Sequence, residues 1–261
     1  MSLTSLRHLA ATFALTGSAL AAAFLLPSPA NAWGLTIVTG DDDGKAVVGS
    51  GHVVDAKRTL GAFSKLSVEG SVDIDARPGT SPTATVRTDD NIAPFIETTV
   101  EGDTLHVRVK HGTSFRTHET LKVIVEFTQL TDIQQRGSGD VHVFDLTSPR
   151  LESEITGSGD LKVDHAQLGE LRVGIAGSGD VAIEGHADEA HFHVAGSGDI
   201  HAERFAAHRV EVSVSGSGDA HVNAIDSLDA HVAGSGDVTF RGHPHDVTRH
   251  VAGSGSVEAE D

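Results

Sequence analysis

The phrase Gly-Ser-Gly-Asp occurs six times at nearly constant spacing, and this repeat constrains the fold more than any other feature of the chain. Successive copies are 20, 20, 19, 20 and 18 residues apart, and a seventh copy 19 residues later ends in Ser256. Such a period is typical of proteins built from stacked, equivalent coils. The predicted repeat turns contain Gly137, Gly139, Asp140, Gly157, Gly159, Asp160, Gly177, Gly179, Asp180, Gly196, Gly198, Asp199, Gly216, Gly218, Asp219, Gly234, Gly236 and Asp237.

The residues on both sides of each motif alternate between apolar and polar side chains. After the first motif, Val141 and Val143 are apolar, and His142 between them is polar. This period of two predicts strands with one buried and one solvated face. The equivalent outward positions are predicted at His142, Lys162, Ala182, His201, His221 and Thr239. Gln135, Ser153 and Arg249 are polar residues at positions predicted to face inward.

One repeat is too short to bury its own apolar stripe, whereas stacked coils join their stripes into one core. The chain is therefore predicted to be all-β, a parallel β-helix (β-solenoid) with coils of about 20 residues. A propeller blade needs about 40 residues, and a leucine-rich repeat needs its leucine-and-asparagine phrase, so neither architecture fits.

The motif glycines and aspartates have predicted structural roles. Glycine accepts positive φ and close backbone approach, and both suit a tight corner. Stacked carboxylates about 4.8 Å apart would repel by roughly 3.5 kcal/mol at an effective dielectric of about 20. We expect each carboxylate to accept backbone N–H bonds within its own Gly-Asp turn. The alternative is calcium held between coils, for which Asp160, Asp180 and Asp199 are weak metal candidates.

The N-terminal half of the chain follows the repeat less regularly. Val68–Ile74 fits the motif with Val72 in place of the second glycine, and Val48–Val53 fits it with His52 in place of the aspartate. From Asp73 to Asp140 there are 67 residues, which leaves room for about three irregular coils. The solenoid domain is predicted over residues 46–261, with the regular coils at 137–256.

The first 32 residues have the features of a secretory signal peptide. Arg7 precedes an apolar run at residues 10–26, and Ala30-Asn31-Ala32 resembles a cleavage site. The alternative is an uncleaved membrane anchor, but the run is shorter than the roughly 20 residues that a spanning helix needs. Residues 33–45 are predicted to be an N-terminal extension, and no second apolar run predicts a membrane span. The expected location is the periplasm, or the cell surface and beyond after secretion.

The charge and the cysteine content exclude several classes of function. The chain has a formal net charge of −18, and residues 1–32 carry one arginine and no acid, which leaves −19 for residues 33–261. Such a surface repels nucleic acid, so no nucleic-acid partner is predicted. The absence of cysteine excludes disulfides and thiolate metal sites.

The histidines offer a second possible metal site. Their densest group is His243-Pro-His245 with Asp246 and His250, and imidazoles of this kind suit zinc or nickel. Nothing in the sequence shows three ligands converging. No native metal or cofactor is therefore predicted, and His243 and His245 are weak candidates only.

No catalytic residue is predicted. The acidic residues recur evenly along the repeats, which indicates a structural role, and no nucleophile elbow, phosphate loop or His-Glu-x-x-His occurs. Two alternatives stay open. One is a carbohydrate-active β-helix enzyme, such as a polysaccharide lyase or hydrolase. The other is a calcium-stabilised structural module.

The order of segments resembles the bacterial head GIN domain, or putative auto-transporter adhesin, family. The resemblance rests on Gly49-Ser-Gly-His-Val-Val, on Leu60-Gly-Ala-Phe-Ser-Lys-Leu-Ser-Val-Glu-Gly-Ser-Val-Asp-Ile, on Asp90-Asn91, on Gly102-Asp-Thr-Leu and on the repeated motif. It covers roughly residues 46–256. It implies a right-handed parallel β-helix in the bacterial envelope and no established catalytic residue or ligand.

The sequence thus predicts an exported, non-enzymatic binding or adhesion-type module of the cell envelope. Its expected partner is a glycan or an envelope or surface protein, because a flat, repeated surface suits many weak contacts that add up.

Overall fold

The computed structural model describes residues 46–117 and 121–260, which lie in one unit of the chain. The predicted signal peptide at 1–32 and the N-terminal extension at 33–45 fall outside the described residues.

Strands account for almost all regular structure in the described part of the chain, apart from a single 3-10 turn at Ala93–Phe95. The strands of the N-terminal part are β1 (Val47–Val48), β2 (Val53–Thr59), β3 (Lys65–Gly70), β4 (Asp73–Pro78), β5 (Thr83–Asp89), β6 (Ile96–Glu101), β7 (Thr104–Val109), β8 (Phe115–Arg116) and β9 (Lys122–Phe127). The repeat region contains β10 (Asp132–Gly137), β11 (Val141–Phe144), β12 (Thr147–Gly157), β13 (Leu161–Gly177), β14 (Val181–Gly196), β15 (Ile200–Gly216), β16 (Ala220–Gly234), β17 (Val238–Arg241), β18 (Asp246–Gly253) and β19 (Val257–Ala259).

The repeat region is a parallel β-solenoid, as the period predicts. Each coil pairs in parallel with the next, and the first motif glycines are register partners: Gly137 with Gly157, Gly157 with Gly177 and Gly177 with Gly196. We call the strand segments that lead into each motif the pre-motif sheet (β3, β10, β18 and the C-terminal parts of β12–β16). The segments that follow each motif form the post-motif sheet (β4, β11, β17, β19 and the N-terminal parts of β13–β16).

The inward positions of successive coils stack into columns that form the core. Ile155, Ile175, Val194 and Val214 make one such column, and each side chain is at most 1% exposed. Burial of each aliphatic side chain contributes about 1.5–3 kcal/mol. The next residue in each coil points outward and is polar or small: Thr156, Ala176, Ala195 and Ser215. This confirms the predicted alternation.

Two of the inward polar residues lie inside this core. Gln135 is 1% exposed, and its Nε2 donates to the carbonyl of Gly139 at 2.6 Å. Ser153 is buried to the same extent, and within the described part of the chain its hydroxyl has no hydrogen-bond partner. The bond to the corner backbone satisfies the amide nitrogen of Gln135, whereas its Oε1 is buried without a hydrogen-bond partner among the described residues.

The N-terminal part corrects the expectation of three irregular coils between Asp73 and Asp140. The coil formed by β3 and β4 pairs directly with β10 and β11 on one side and with β7 and β9 on the other, all in parallel. Strands β2, β5 and β6 are antiparallel to their neighbours. Alternation with period two is the same in parallel and antiparallel strands, so the pattern alone could not distinguish them.

The prediction of a coil with His52 at the aspartate position is also wrong. Val47–Val48 pairs with β8, and β2 runs antiparallel to β5, so this segment is not part of the stack. Its Gly-Ser-Gly phrase surrounds the buried Asp89 instead. The N–H of Gly51 donates to Asp89 Oδ1 at 2.7 Å, and a Cβ on Gly49 would collide with that carboxylate.

The stack ends at an open coil. Every residue of β18 is exposed, including Val251 at 45%. Arg249, which occupies an inward position, places its guanidinium 5.2 Å from the centre of the Phe240 ring. No helix within the described ranges is long and apolar enough to cross a bilayer.

Candidate functional site

The motif aspartates form a hydrogen-bonded ladder along one edge of the solenoid. Oδ1 of each aspartate accepts the backbone N–H of the residue at the same position in the next coil, at 2.7–3.1 Å. The ladder runs through Asp73, Asp140, Asp160, Asp180, Asp199, Asp219 and Asp237 to the N–H of Ser256. The expectation that each carboxylate bonds within its own turn is therefore wrong, because the donor comes from the following coil.

The two glycines of each motif meet different requirements. The first one has a positive φ, between 129° and 149° in the six Gly-Ser-Gly-Asp copies, a region that side chains disfavour. The second one lies against the backbone of the preceding coil. A Cβ on Gly179, for example, would lie closer than 3.0 Å to the carbonyl oxygen of Gly159. At Gly139 the neighbour is the backbone of Val72, so the coil that contains Val72 packs directly against the first Gly-Ser-Gly-Asp coil.

The ladder has a clear chemical consequence. Each carboxylate has the same donor in the same position, so no aspartate of the motif is distinguished from the others as an acid or a base. Calcium binding between neighbouring coils at Asp160, Asp180 or Asp199 stays an untested alternative to the prediction of no metal.

The outer side of the pre-motif sheet, which we call the pre-motif face, carries polar and small residues in straight columns. Its first column is Arg150, Glu170, Glu189, Arg209, Ser227 and Asp246. The second is Glu152, Arg172, His191, Glu211, Asp229 and Thr248. The third is Glu154, Gly174, His193, Ser213, His231 and His250, and the fourth is Thr156, Ala176, Ala195, Ser215, Ala233 and Ala252.

Two open grooves cross the C-terminal half of this face. One has a volume of about 390 Å³ and is lined by Ser213, Ser215, His231 and His250. The other has a volume of about 270 Å³ and is lined by Glu189, His191, Arg209 and other residues of the first two columns. The short side chains of the fourth column leave room beside the histidines, so the surface is shallow and accessible.

Charged residues of the first two columns are cross-linked between coils. Glu189 Oε1 accepts a hydrogen bond from Arg209 Nε at 3.0 Å, and this bond lowers the pKa of Glu189 below its ordinary value. His191 Nδ1 lies 3.0 Å from Glu211 Oε2. Within a single strand, β13, Arg172 is ion-paired with Glu170. The face is thus a network of alternating charges rather than a patch of one sign.

The post-motif sheet has a polar group near its N-terminal end. His142 Nε2 lies 2.6 Å from Asp164 Oδ2, and Lys162 Nζ lies 3.2 Å from Asp164 Oδ1. Burial raises the pKa of Asp164, but the bonds from His142 and Lys162 outweigh it, so the net shift is downward. Further along the same sheet, His201 and His221 stack with ring centres 5.5 Å apart.

The histidines suggested as metal ligands by the sequence do not form one group in the structure. His243 and His245 lie in the turn between β17 and β18, and within the described ranges neither belongs to a group of three possible ligands. His250 is instead the register partner of His231, with ring centres 4.8 Å apart, and Asp229 completes a group of three exposed ligands.

A second group was not found by the sequence interpretation. Glu170, Glu189 and His191 each place one ligand atom within 4.8 Å of the other two. The repeat spacing contained the necessary signal, because Glu170 and Glu189 are 19 residues apart, the same step as Asp180 to Asp199. Aligning every outward position with that step would have placed the two carboxylates side by side.

Comparison with known proteins agrees with this architecture. A family model described as "Putative auto-transporter adhesin, head GIN domain" matches residues 62–244. The crystal structure of a putative adhesin from Bacteroides fragilis is similar, with a TM-score of 0.79, 28% identity, and coverage of 82% of this chain and 100% of that one. A putative lipid binding protein from Parabacteroides distasonis has a TM-score of 0.69, 26% identity, and coverage of 83% and 100%. Comparison with curated proteins gives no match.

Proposed function

This chain belongs to the head GIN domain family of putative auto-transporter adhesins, and from that membership we propose that it is an exported, non-enzymatic binding module of the bacterial cell envelope. Its pre-motif face contacts a glycan or a surface protein, and the contacts are shared among several coils.

The observation that carries the proposal is the repetition of the pre-motif face. Its four columns repeat the same outward positions in successive coils, with charged, imidazole, hydroxyl and methyl groups that vary from coil to coil, around two shallow grooves. Many weak contacts to a repeating ligand then add up, so affinity depends on how many coils engage.

The ladder supports a non-enzymatic role. Glycoside hydrolases use two carboxylates with different environments, one as acid and one as base or nucleophile. Here the motif carboxylates have equivalent backbone donors, so nothing separates one pair from the rest. In a binding module, replacement of one motif aspartate should have little effect. In an enzyme, loss of one catalytic carboxylate removes several orders of magnitude of rate.

Coil deletion tests the proposal. Removal of 181–199 joins Asp180 to Ile200 and keeps the motif register, and removal of 181–219 joins Asp180 to Ala220. Binding of the purified domain to arrays of neutral and acidic polysaccharides should weaken stepwise with one and two coils removed. The single variant His201→Ala, on the other sheet, should bind like the wild type.

The outcomes separate the alternatives. Binding that is unchanged by removal of two coils contradicts the proposal. Turnover of a polysaccharide that is abolished by one Asp→Asn variant between Asp140 and Asp237, with the fold retained, favours the enzyme. Co-sedimentation with neutral phospholipid vesicles in place of glycan binding would assign a lipid-binding role, as the name of the Parabacteroides neighbour suggests for that protein.

A further inference from the structure

Three possible metal ligands converge on the pre-motif face where β13 and β14 pair. One ligand atom from each of Glu170, Glu189 and His191 lies within 4.8 Å of the other two. We propose that these three side chains bind a divalent transition-metal ion, for which Zn²⁺ is the appropriate probe. Binding of the ion requires no glycan or protein partner.

The neighbour of His191 selects one tautomer of the neutral ring. Nδ1 lies 3.0 Å from Glu211 Oε2, and a carboxylate only accepts, so Nδ1 carries the proton. The other nitrogen, Nε2, of the neutral ring then has a free lone pair. That atom is buried and has no hydrogen-bond partner among the residues that the structure describes. A carboxylate on one ring nitrogen and a metal on the other is the usual arrangement of metal-binding imidazoles.

Glu170 and Glu189 each pair with an arginine through one carboxylate oxygen. Glu189 Oε1 accepts from Arg209, and its Oε2 lies 3.8 Å from His191 Nε2. That separation is too long for a hydrogen bond. It is close to the roughly 3.4 Å between two ligand atoms of a tetrahedral zinc ion with bonds of about 2.0–2.1 Å. Glu170 is paired with Arg172 through Oε1, which leaves its second oxygen available.

The three carboxylates around the site, on Glu170, Glu189 and Glu211, outnumber the two guanidinium groups of Arg172 and Arg209, so these groups together carry a net charge of −1. Glu170 and Glu189 are register partners on adjacent strands, and like charges in that position destabilise a sheet. An imidazole with two carboxylates suits zinc and similar ions, whereas calcium prefers oxygen ligands alone. The groove of about 270 Å³ that includes Glu189 and His191 gives a bound ion access to solvent.

The exposed group of Asp229, His231 and His250 provides a matched comparison on the same face. There Asp229 Oδ1 lies 3.0 Å from His231 Nε2, so the two atoms already form a pair instead of facing an open position. Both groups combine carboxylate and imidazole ligands, in different proportions, and they differ in this preorganisation.

Isothermal titration with ZnCl₂ on untagged protein tests the proposal. The wild type should bind one equivalent of Zn²⁺ that His191→Ala loses or binds at least tenfold more weakly. Glu211→Gln, which keeps all three ligands, should weaken the same equivalent by about 10–100-fold, as is usual for partners of metal-bound histidines. His231→Ala should leave that equivalent unchanged, and CaCl₂ should not compete for it.

Nitrogen-15 NMR of the histidine rings gives a readout on the unaltered chain. Zinc should shift the His191 Nε2 resonance and leave Nδ1 protonated. No saturable zinc binding by the wild type, an unshifted His191 ring, or loss of the tight equivalent in His231→Ala but not in His191→Ala would each overturn the proposal.

Discussion

The backbone N–H of Asp199 donates to Oδ1 of Asp180 at 2.8 Å, so the carboxylate of one coil is held by the main chain of the next. The same bond recurs along the stack. It explains how carboxylates can line one edge at the spacing of a β-sheet, because each charge has a dipole from the following coil beside it.

Replacement of Asp180 tests this ladder. Asp180→Ala leaves the N–H of Asp199 without its acceptor, and we expect a loss of about 1 kcal/mol in the free energy of unfolding. Asp180→Asn keeps an acceptor oxygen and should stay within about 0.5 kcal/mol of the wild type. Ser256→Ala is the control, since Ser256 takes part through its backbone N–H. Urea denaturation gives all three values, and equal effects of Ala and Asn at position 180 would contradict the ladder's role.

The second motif glycine should not tolerate a side chain. Gly179→Val places a Cβ closer than 3.0 Å to the carbonyl oxygen of Gly159, so we expect a loss of more than about 1 kcal/mol. Gly61→Ala is the matched control, because a Cβ there has its nearest neighbour at 3.9 Å and no positive φ is required. A melting temperature of Gly179→Val equal to that of the wild type would refute the close-packed corner.

Asp132 should destabilise the protein at neutral pH. Burial, followed by the nearby Glu152, raises the pKa of its carboxyl group, and its Oδ1 is buried without a hydrogen-bond partner in residues 46–117 and 121–260. A raised aspartate pKa means that the folded state disfavours the ionised form. The wild type therefore loses stability as the pH rises from the unfolded value near 3.9 through the raised folded value. Asp132→Asn should melt higher at pH 7, and the gain should vanish below about pH 4.

Asp164 provides the control of opposite sign. Its pKa is lowered overall, since the bonds from His142 and Lys162 outweigh the effect of burial. Its stabilisation is present above the unfolded pKa of about 3.9 and is lost as the pH falls through the lower folded value. Asp164→Asn should thus melt lower at pH 7. Melting curves at several pH values measure both variants, and a shift of the same sign at pH 7 would contradict one of the two assignments.

Arg249 should protect the open end of the stack. Its guanidinium lies over Phe240, and a charge at an inward position of a last strand discourages edge-to-edge pairing. Arg249→Ala should cost about 0.5–1 kcal/mol and increase self-association on heating, as measured by light scattering. Arg204→Ala removes the same charge from an exposed ion pair with Glu184 and should not promote association. Equal scattering by both variants would argue against the protective role.

The sequence was most informative where a residue type repeated at coil spacing. Gly177, Asp180 and Val181 mark a bend, a ladder position and a buried position in every coil, so the period alone predicts the solenoid and its faces. The same reasoning failed for Gly49-Ser-Gly-His52, where the glycines make room for the carboxylate of Asp89. A short phrase does not reveal which distant side chain it contacts.

The candidate site was less predictable, because it depends on neighbours across coils. His243 and His245 are close in sequence but lie in a turn, whereas His231 and His250 are 19 residues apart and stack. The direction of the ladder bonds was also hidden, since a carboxylate has suitable donors both in its own turn and in the next coil. Only the stacking geometry decides between them.

The position of the first coil has a consequence for how the chain folds. In the ladder, the N–H of Asp140 bonds to Asp73, 67 residues earlier. Each later bond of the ladder joins residues only 18–20 apart. Closing the longer loop costs more conformational entropy, so pairing of β10 with β3 should be the slow, nucleating event. Each following coil then adds to a template that already exists. Refolding should therefore show one rate-limiting step whose rate barely changes when coils are removed from the C-terminal end.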